Sequence, residues 1–548
     1  MIMLPPAFCP PGTMGKVGNE TCQPVGWSQC PSGFEPDSSG WGCKDILPET
    51  PCNGASIARL GSRTCEPLGD CFAQFPPASA THFVDDSFSI AELDETHFSS
   101  IQAAVDRAPD GAIIAVESGL YQESLVLVGR NLSLLGRCAE QTIVEGDDVE
   151  RGILVTGGRV DLRGLTFRFH RDGIVAKQAA IVTVRESIVS DNLGIGIWAM
   201  HPGTSLVFED SVARNGRPEG EDYGWGIAVT DNASMEIFRS NLENNTEAAI
   251  GAGNDPHALL ENLSSLVVSD SVVQNTKLDT TRAAGYGMVA LGCAVQIKRC
   301  VFAANYGAHL VVSGSTTHLS VTETVFRDTK EMPYGGWESR VGSVLDVTEA
   351  SVRMEKCSAY DSIQRGIAVG WAGFVELQQT TMKSTTPNSL GFAGRALNIQ
   401  DGGRIEIKDT ALLDSFETAV FVTSKGSENG TSRFSAMDSL IQNTKRSTYG
   451  YGGESVSVIG ASEALLYQVE MRENVLGLAV DDSAVAIDHC LIRRNEVGVH
   501  AQNGSTLFEV EEIPDSLPFH WVAVSRDTVF IDNITKVGSG VIPLPEPL

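Results

Sequence analysis

Residues 187–197 read SIVSDNLGIGI, and the pattern in this stretch returns along most of the chain. A small polar residue begins it, a short apolar segment and a turn with Asn or Asp follow, and a Gly-led apolar strand ends it. Self-similarity of this kind predicts a repeat protein rather than the three or four domains that 548 residues would otherwise suggest. The turn residues that mark the repeat are Asn192, Asn215, Asn245, Asn275, Asn305, Asp328, Asp361, Asn443, Asn474 and Asn495.

Each repeat predicts one coil of a solenoid, with strands of successive coils paired about 4.8 Å apart. Identical residues in register then form ladders, and Asn suits such a ladder because its amide can bond the copies above and below. A second ladder position, ahead of the turn, holds Ser or Thr in most coils and Cys300, Cys357 or Cys490 in others. We therefore predict that these cysteines, together with Cys293, are buried thiols and not metal or redox ligands.

The composition excludes several functional classes. Hydrophobic residues make up 42% of the chain, which is enough for a large core, and no apolar run approaches the ~18 residues of a membrane span. The net charge of −29 argues against binding to nucleic acid. We expect a monomer without a cofactor; calcium is the one candidate ion, because 69 carboxylates must be accommodated, although no EF-hand loop is present.

The start of the repeat region has its own signature. Residues 98–108 carry apolar side chains at helical spacing, Pro109 and Gly111 end that pattern, and a short strand follows at 112–116. This passage resembles the amphipathic cap and first coil of pectin-lyase-like right-handed β-helices. The resemblance implies an all-β fold: a right-handed parallel β-helix of about fifteen coils over 98–510, with an N-terminal capping helix. Residues 72–97 are then a linker and opening strand, and 511–548 a C-terminal cap whose prolines limit strand pairing.

Residues 1–71 form a Cys-rich module of three short copies. In each copy two cysteines stand thirteen residues apart, and the copies are too small to build a core without covalent staples. We expect disulfides within each copy and a bond from Cys71 to Cys138, although eight cysteines allow 105 connectivities and zinc is the alternative. Disulfides indicate an extracellular or cell-surface protein; because residues 1–8 do not resemble a signal peptide, we expect the leader upstream of them or removed. The cysteines concerned are Cys9, Cys22, Cys30, Cys43, Cys52, Cys65, Cys71 and Cys138.

Every other coil carries an insertion at the same turn. The insertions occupy 216–225, 276–286, 329–341, 385–395 and 444–455, and they must project in a row from one edge of the solenoid. Their Gly-aromatic composition has two interpretations: loops that pack on one another, or a surface that binds a glycan or a surface protein. The predicted ligand-binding residues are Tyr223, Trp225, Tyr286, Tyr334, Trp337, Arg340, Phe392, Arg395, Tyr449 and Tyr451.

The alternative function is enzymatic. Asp255-Pro256-His257 resembles the Asp-Pro-His motif of mannuronan C5-epimerases, which implies Asp255 and His257 as the proton-transferring pair. The match ends after three residues, and the Asn-Thr-Asp and Gly-His-Gly patterns of polygalacturonases do not occur. We therefore predict a non-catalytic, secreted or cell-surface β-helix that binds glycan or a protein, with a polysaccharide lyase or uronate C5-epimerase acting on an acidic polysaccharide as the alternative.

Overall fold

The computed structural model describes residues 3–218, 223–253, 263–279, 281, 284–333, 340–514, 516–538 and 540–548. The chain folds as two compact units. The 45–306 unit is one continuous segment, and the 307–548 unit also contains residues 1–44. The boundary predicted at residue 71 therefore does not separate these units.

Each unit is built from coils of three parallel strands, which we assign in chain order to sheets A, B and C. Sheet A collects the short strands before the Asn-bearing turn, sheet B the strands after that turn, and sheet C the third strand of each coil. Parallel strands joined by crossovers of this kind define a parallel β-helix, and the predicted all-β fold class is confirmed.

In the 45–306 unit, a helix at Ile101–Arg107 packs on the first strands; Ser100 caps its N-terminus by accepting a hydrogen bond from the Ala103 amide. Sheet A contains Gly119–Tyr121, Thr142–Glu145, Thr166–Arg168, Ile188–Ser190, Val212–Arg214, Asn241–Glu243, Val272–Gln274 and Val301–Ala303. Sheet B contains Leu125–Val128, Ile153–Thr156, Ile174–Lys177, Ile195–Met200, Trp225–Thr230, Glu247–Gly253 and Gly285–Leu291. Sheet C contains His82–Val84, His97–Phe98, Ala112–Val116, Asn131–Gly136, Arg159–Arg163, Ile181–Arg185, Ser205–Glu209, Ser234–Phe238, Ser264–Ser269 and Cys293–Lys298.

The 307–548 unit repeats this arrangement. Its sheet A contains Val325–Arg327, Ser358–Tyr360, Thr381–Lys383, Ala411–Leu413, Leu440–Gln442, Glu470–Arg472, Leu491–Arg493 and Val529–Ile531. Its sheet B contains Gly307–Ser313, Gly342–Thr348, Arg365–Gly370, Arg395–Ile399, Thr418–Thr423, Glu454–Ile459, Leu476–Asp481, Val497–Gln502 and Thr535–Gly538. Its sheet C contains His318–Thr322, Ser351–Glu355, Phe374–Gln378, Arg404–Lys408, Arg433–Met437, Glu463–Tyr467, Ala484–Asp488, Thr506–Val510 and Trp521–Ser525.

The strand register explains why these sequences form coils. Alternate residues of every sheet B strand point inward, so one apolar column runs through the 307–548 unit, and its members are fully buried. This column consists of Leu345, Ile367, Leu397, Val420, Val456, Leu478 and Val499.

The polar ladders differ in one respect from the sequence-based register. Among the predicted turn residues, five Asn side chains accept a hydrogen bond from a main-chain N–H of the preceding coil: those of Asn192, Asn245, Asn305, Asn474 and Asn495. The Asn474 main-chain N–H, for example, donates to Asn495 Oδ1 at 2.9 Å. Asn215 and Asn443 occupy the preceding position, where positive φ favours Asn for its tolerance of left-handed backbone. The prediction had merged two adjacent columns into one, because both are rich in Asn.

Disulfides, not zinc, staple the Cys-rich region. The bonds are Cys9–Cys22, Cys30–Cys43, Cys52–Cys65 and Cys71–Cys138. The remaining four cysteines are free and buried, as predicted.

The Cys-rich copies cover the outer face of sheet A. In the 307–548 unit, the Gly15 amide donates to Glu470 at 2.6 Å and the Cys43 amide donates to Ser358 at 3.0 Å. In the 45–306 unit, Ile57 and Leu68 of the third copy pack against sheet A residues. Sheet A strands are therefore buried on both faces, and they offer no open surface to a ligand where a copy covers them.

The region predicted as a C-terminal cap contains a further coil. Strands at Trp521–Ser525, Val529–Ile531 and Thr535–Gly538 pair with the preceding coil in sheets C, A and B. The reason is the placement of prolines: they occur up to Pro518 and again from Pro543, and the segment between them is free to pair.

Candidate functional site

The insertions of the 307–548 unit lie side by side on the edge between sheets A and B. Arg340, from the 329–341 insertion, donates to Ser389 of the next insertion at 3.1 Å. The Ser389 amide donates to Glu331 at 2.8 Å, which ties the same two loops together. Thr448, from the 444–455 insertion, donates to the Gly391 carbonyl at 2.8 Å. In this unit, the loops thus form a continuous row that is held by hydrogen bonds between loops.

An aromatic cluster lies at the junction of the last two insertions. The rings of Phe392 and Tyr449 are 5.3 Å apart, and Tyr451 stacks on Tyr449 with centroids 6.3 Å apart and an interplanar angle of 11°. The Tyr449 hydroxyl donates to the Leu390 carbonyl at 2.8 Å, so the ring is held in place. Tyr449 nevertheless keeps 56% of its surface exposed. The cluster is a fixed, open aromatic platform.

Arg395 lies inside the protein, and the expectation of an accessible loop-edge side chain is wrong for this residue. It begins a sheet B strand and is only 1% exposed, because its guanidinium lies flat on the Phe421 ring at 4.0 Å. It donates to buried Glu417 at 2.6 Å and to Asn398 at 2.9 Å. These bonds form a buried charge pair on the outer face of sheet B, directly below the aromatic platform.

Glu454 is the second buried carboxyl group at this place. It is 2% exposed, and its Oε2 has no hydrogen-bond partner among the residues that the structure describes. Burial, followed by repulsion from Glu417, raises the pKa of Glu454 to about 8, while Arg395 and Arg446 lower it less. Glu454 is therefore mostly protonated at neutral pH, and its carboxyl can donate a hydrogen bond.

Glu454 also lines a cavity of about 240 Å³. Tyr451 and Arg446 of the 444–455 insertion, His500 of sheet B, and residues 542–543 form other parts of the wall. The cavity therefore connects the aromatic platform, the buried carboxyl groups and the C-terminal segment.

A larger cavity of this unit, about 650 Å³, lies on sheet C beneath residues 513–514 and 516–517. Its floor consists of Arg and Glu side chains that already satisfy one another, such as Arg433 and Glu463 at 2.9 Å. Because its charges are paired and no Tyr or Trp lines it, we regard the smaller cavity as the better candidate site.

In the 45–306 unit, a second aromatic surface lies on sheet B. The Trp225 ring covers Gly251, where any side chain would collide with it, and the Tyr223 ring lies 4.8 Å away. Tyr223 is 44% exposed, and in the described ranges the buried Trp225 Nε1 has no hydrogen-bond partner. Tyr286 lies in a neighbouring sheet B strand and is half-buried.

Some predicted residues lie outside the described part of the chain: Tyr334, Trp337, Asp255 and His257. Within the described part, no group of three or more His, Cys, Asp or Glu side chains is arranged to hold a metal ion. None of the helices there has the length and apolarity of a membrane span.

The sequence analysis missed Glu417, Glu454 and the C-terminal segment. One signal was present for Glu454: in the register of sheet B it pairs with Leu476, which pairs with Val497. A carboxyl group beside two apolar positions, with Thr418 on its other side, indicates a special environment, but it becomes visible only when the register is known to the residue.

Comparison with known proteins agrees with the fold. The family model described as "right handed beta helix region" matches residues 151–326, and no curated protein matches the chain. The chain folds as a right-handed parallel β-helix with a Cys-rich N-terminal region. Its four disulfides are typical of proteins that fold in an oxidising, extracellular compartment.

Similar solved structures include enzymes that act on polysaccharides. A pectate lyase is 12% identical, with 52% of this chain and 78% of that chain covered and a TM-score of 0.34. An α-1,3-glucanase from Streptomyces thermodiastaticus is 12% identical, with coverages of 84% and 70% and a TM-score of 0.37. An alginate lyase from Paenibacillus sp. is 13% identical, with coverages of 64% and 93% and a TM-score of 0.29. Likeness at this level does not transfer a reaction or a catalytic residue to this chain.

Proposed function

We propose that this protein is an extracellular β-helix that binds a neutral glycan chain, without cleaving it, at the aromatic platform of Phe392, Tyr449 and Tyr451. The observation that carries the proposal is the combination of exposure and rigidity at Tyr449. A ring that is 56% exposed yet held by a hydrogen bond and two ring contacts loses little freedom when a ligand stacks on it.

The charges around the platform favour a neutral ligand over an acidic one. A protein that binds a uronate polymer needs cations that can neutralise the ligand's carboxylates. The described arginines of these insertions are already paired, whether exposed or buried: Arg340 with Glu331 at 3.6 Å, Arg395 with Glu417 at 2.6 Å, and Arg446 with Glu496 at 2.7 Å. These pairs, with the net charge of −29, argue against the lyase or epimerase alternative.

The test is a glycan array that carries neutral and uronate polymers, probed with three proteins. We expect the native chain to bind neutral glycans and Tyr449→Ala to bind at least tenfold more weakly, which corresponds to about 1.4 kcal/mol. The matched control is Trp371→Ala, because Trp371 is also 56% exposed but lies outside the platform.

Equal loss of binding in both variants, or none in either, would contradict the proposed site. Uronate polymers are also incubated with the native chain while the ultraviolet absorbance of unsaturated products is recorded. A rise in that absorbance would favour a lyase, and binding to a surface protein with a silent array would favour the protein-binding alternative.

A further inference from the structure

The C-terminal residues 540–548, which we call the strap, cross the outer face of sheet B in the 307–548 unit. Near its start, the strap's Ile542 amide donates to Gln502 Oε1 at 2.9 Å. Further along, Arg395 donates to the Glu546 carbonyl at 2.6 Å and Gln400 donates to the Leu548 carbonyl at 2.8 Å. In all three contacts, side chains of sheet B bind the main chain of the strap.

The spacing of these contacts shows that the strap is extended. The sheet B strand that ends at Gln502 and the strand that Gln400 directly follows are separated by four strand-to-strand steps, which amount to about 19 Å. Ile542 and Leu548 are six residue steps apart, and six steps of a polyproline-II segment also span about 19 Å. Pro543, Pro545 and Pro547 favour this conformation. The face of sheet B is therefore a groove that accommodates a narrow, extended chain.

The groove contains polar atoms that the strap does not satisfy. Asn398 Nδ2, Glu454 Oε2 and the Ser457 hydroxyl are buried and have no hydrogen-bond partner within the described part of the chain. Asn398 and Ser457 lie on the outward positions of sheet B, because their neighbours Leu397 and Val456 point into the core. Unpartnered buried polar groups are rare in native proteins and call for a missing partner.

The strap is a poor partner for these groups. Its prolines have no N–H to donate, and its remaining side chains are Val, Ile, Leu and Glu. A ligand that satisfies amide, hydroxyl and protonated carboxyl groups along an extended path must carry many groups that both donate and accept hydrogen bonds. Glycan hydroxyls have this property.

We propose that the groove under the strap is a second part of the glycan site, and that residues 540–548 act as an intramolecular competitor which a neutral glycan displaces. This inference rests on the proposed function, since it extends the same site from the aromatic platform to the face of sheet B. The cavity of about 240 Å³ beside Glu454 is smaller than the roughly 300–1,000 Å³ typical of ligand pockets. With the strap in place, the groove is closed to a longer chain.

The contacts that fix the strap to sheet B can be broken without disturbing the coils. Beyond the main-chain contacts, its one charged side chain, Glu546, pairs with Lys425 at 3.7 Å, and both side chains are mostly exposed. Val541, Pro543 and Glu546 face solvent, and only Pro545 is buried. The core column of the unit does not include the strap, so its release leaves the coils intact.

The experiment compares the full chain with a chain that lacks residues 540–548, using cellohexaose, xylohexaose and mannohexaose as probes in isothermal titration. We expect the shortened chain to bind at least one hexasaccharide tenfold or more tightly than the full chain. A synthetic peptide of residues 540–548 should weaken binding to the shortened chain when added in trans.

Two point variants keep the test valid if the shortened chain folds poorly. Gln502→Leu removes both hydrogen bonds of Gln502 to Ile542, and we expect it to bind the hexasaccharide more tightly than the full chain. Lys425→Ala removes only the exposed ion pair with Glu546, and we expect its affinity to remain within twofold of the full chain.

The outcomes separate the two proposals. If the full and shortened chains bind with equal affinity and both lose binding on Tyr449→Ala, the proposal that the strap competes with the glycan is contradicted. The same result would support glycan binding at the platform. Absence of binding by every chain, on the array and in titration, would overturn the proposed function and the strap with it.

Discussion

The buried pair of Arg395 and Glu417 gives a quantitative test of the site's architecture. Arg395 is 1% exposed and Glu417 3%, and their side chains meet at 2.6 Å. We consider Arg395→Met, Glu417→Gln and the double variant. Met keeps much of the length that packs on Phe421, and Gln keeps the shape of Glu.

Each single change leaves one buried charge without its counter-charge, which typically costs about 3–5 kcal/mol. One kcal/mol shifts Tm by about 2–4 °C in units of 150–250 residues, so we expect each single variant to melt at least about 6 °C below the native protein. The double variant retains no buried charge from this pair and should melt above either single variant. The cycle therefore predicts a coupling free energy of about 2 kcal/mol or more between the two sites.

Thermal unfolding followed by circular dichroism supplies the four Tm values. Hydrogen exchange at the strap supplies a second readout, because Arg395→Met also removes the hydrogen bond to the Glu546 carbonyl, whereas Glu417→Gln does not. We expect faster exchange at strap amides in the first variant. Additive Tm shifts, or a drop of less than about 2 °C in Arg395→Met, would refute the reasoning that these charges are paired in a water-excluded groove.

Further predictions concern other features of the molecule. Because the pKa of Glu454 is raised from 4.5 to about 8, the neutral carboxyl favours the folded state below pH 4.5, and this advantage is lost as the pH rises through 8. Over that window the free energy of unfolding of the native chain should fall by about 5 kcal/mol relative to Glu454→Gln, which is measured as a lower Tm. Replacing Cys71 and Cys138 by Ser opens a 67-residue loop and should cost about 4 kcal/mol, measurable as a lower denaturation midpoint, while an unchanged midpoint would show that the bond adds no stability. The four free cysteines are buried, and their pKa values are raised to about 11 or 12. A thiol reagent should therefore label none of them in the native protein and all four after unfolding. Labelling of the native protein would contradict their burial. Gly251→Val should push the Trp225 ring off sheet B and shift tryptophan fluorescence. Gly426→Asn is the control, because Gly426 has open space around it and Asn tolerates its left-handed φ of 78°.

Sequence periodicity was sufficient for the coils but not for their exact register. The spacing of Ser187, Asn192 and Gly196 and their copies predicts where strands begin, because coils of similar length must place like residues on top of one another. Two adjacent Asn-rich columns could not be told apart, since both satisfy the same spacing. Only the inter-coil hydrogen bonds show that Asn474 lies inside and Asn443 at the left-handed turn.

The candidate site was predictable in part. Gly-aromatic insertions on alternate coils indicate a row of loops on one edge, and the row exists in the 307–548 unit. Exposure could not be predicted: Tyr449 and Arg395 belong to similar loops, yet one is open and the other is buried beneath residues that lie about 150 positions later in the chain. Contacts of that range, including the strap over sheet B, leave no periodic trace in the sequence.

The central claim is that a neutral glycan binds at the aromatic platform and displaces the strap. Hydrogen–deuterium exchange of the full chain, with and without the best-bound hexasaccharide, tests it most directly. We predict slower exchange at 391–395 and 448–454 together with faster exchange at Ile542 and Leu544. Protection confined to sheet C, or unchanged exchange at both the platform and the strap under saturating ligand, would contradict the account.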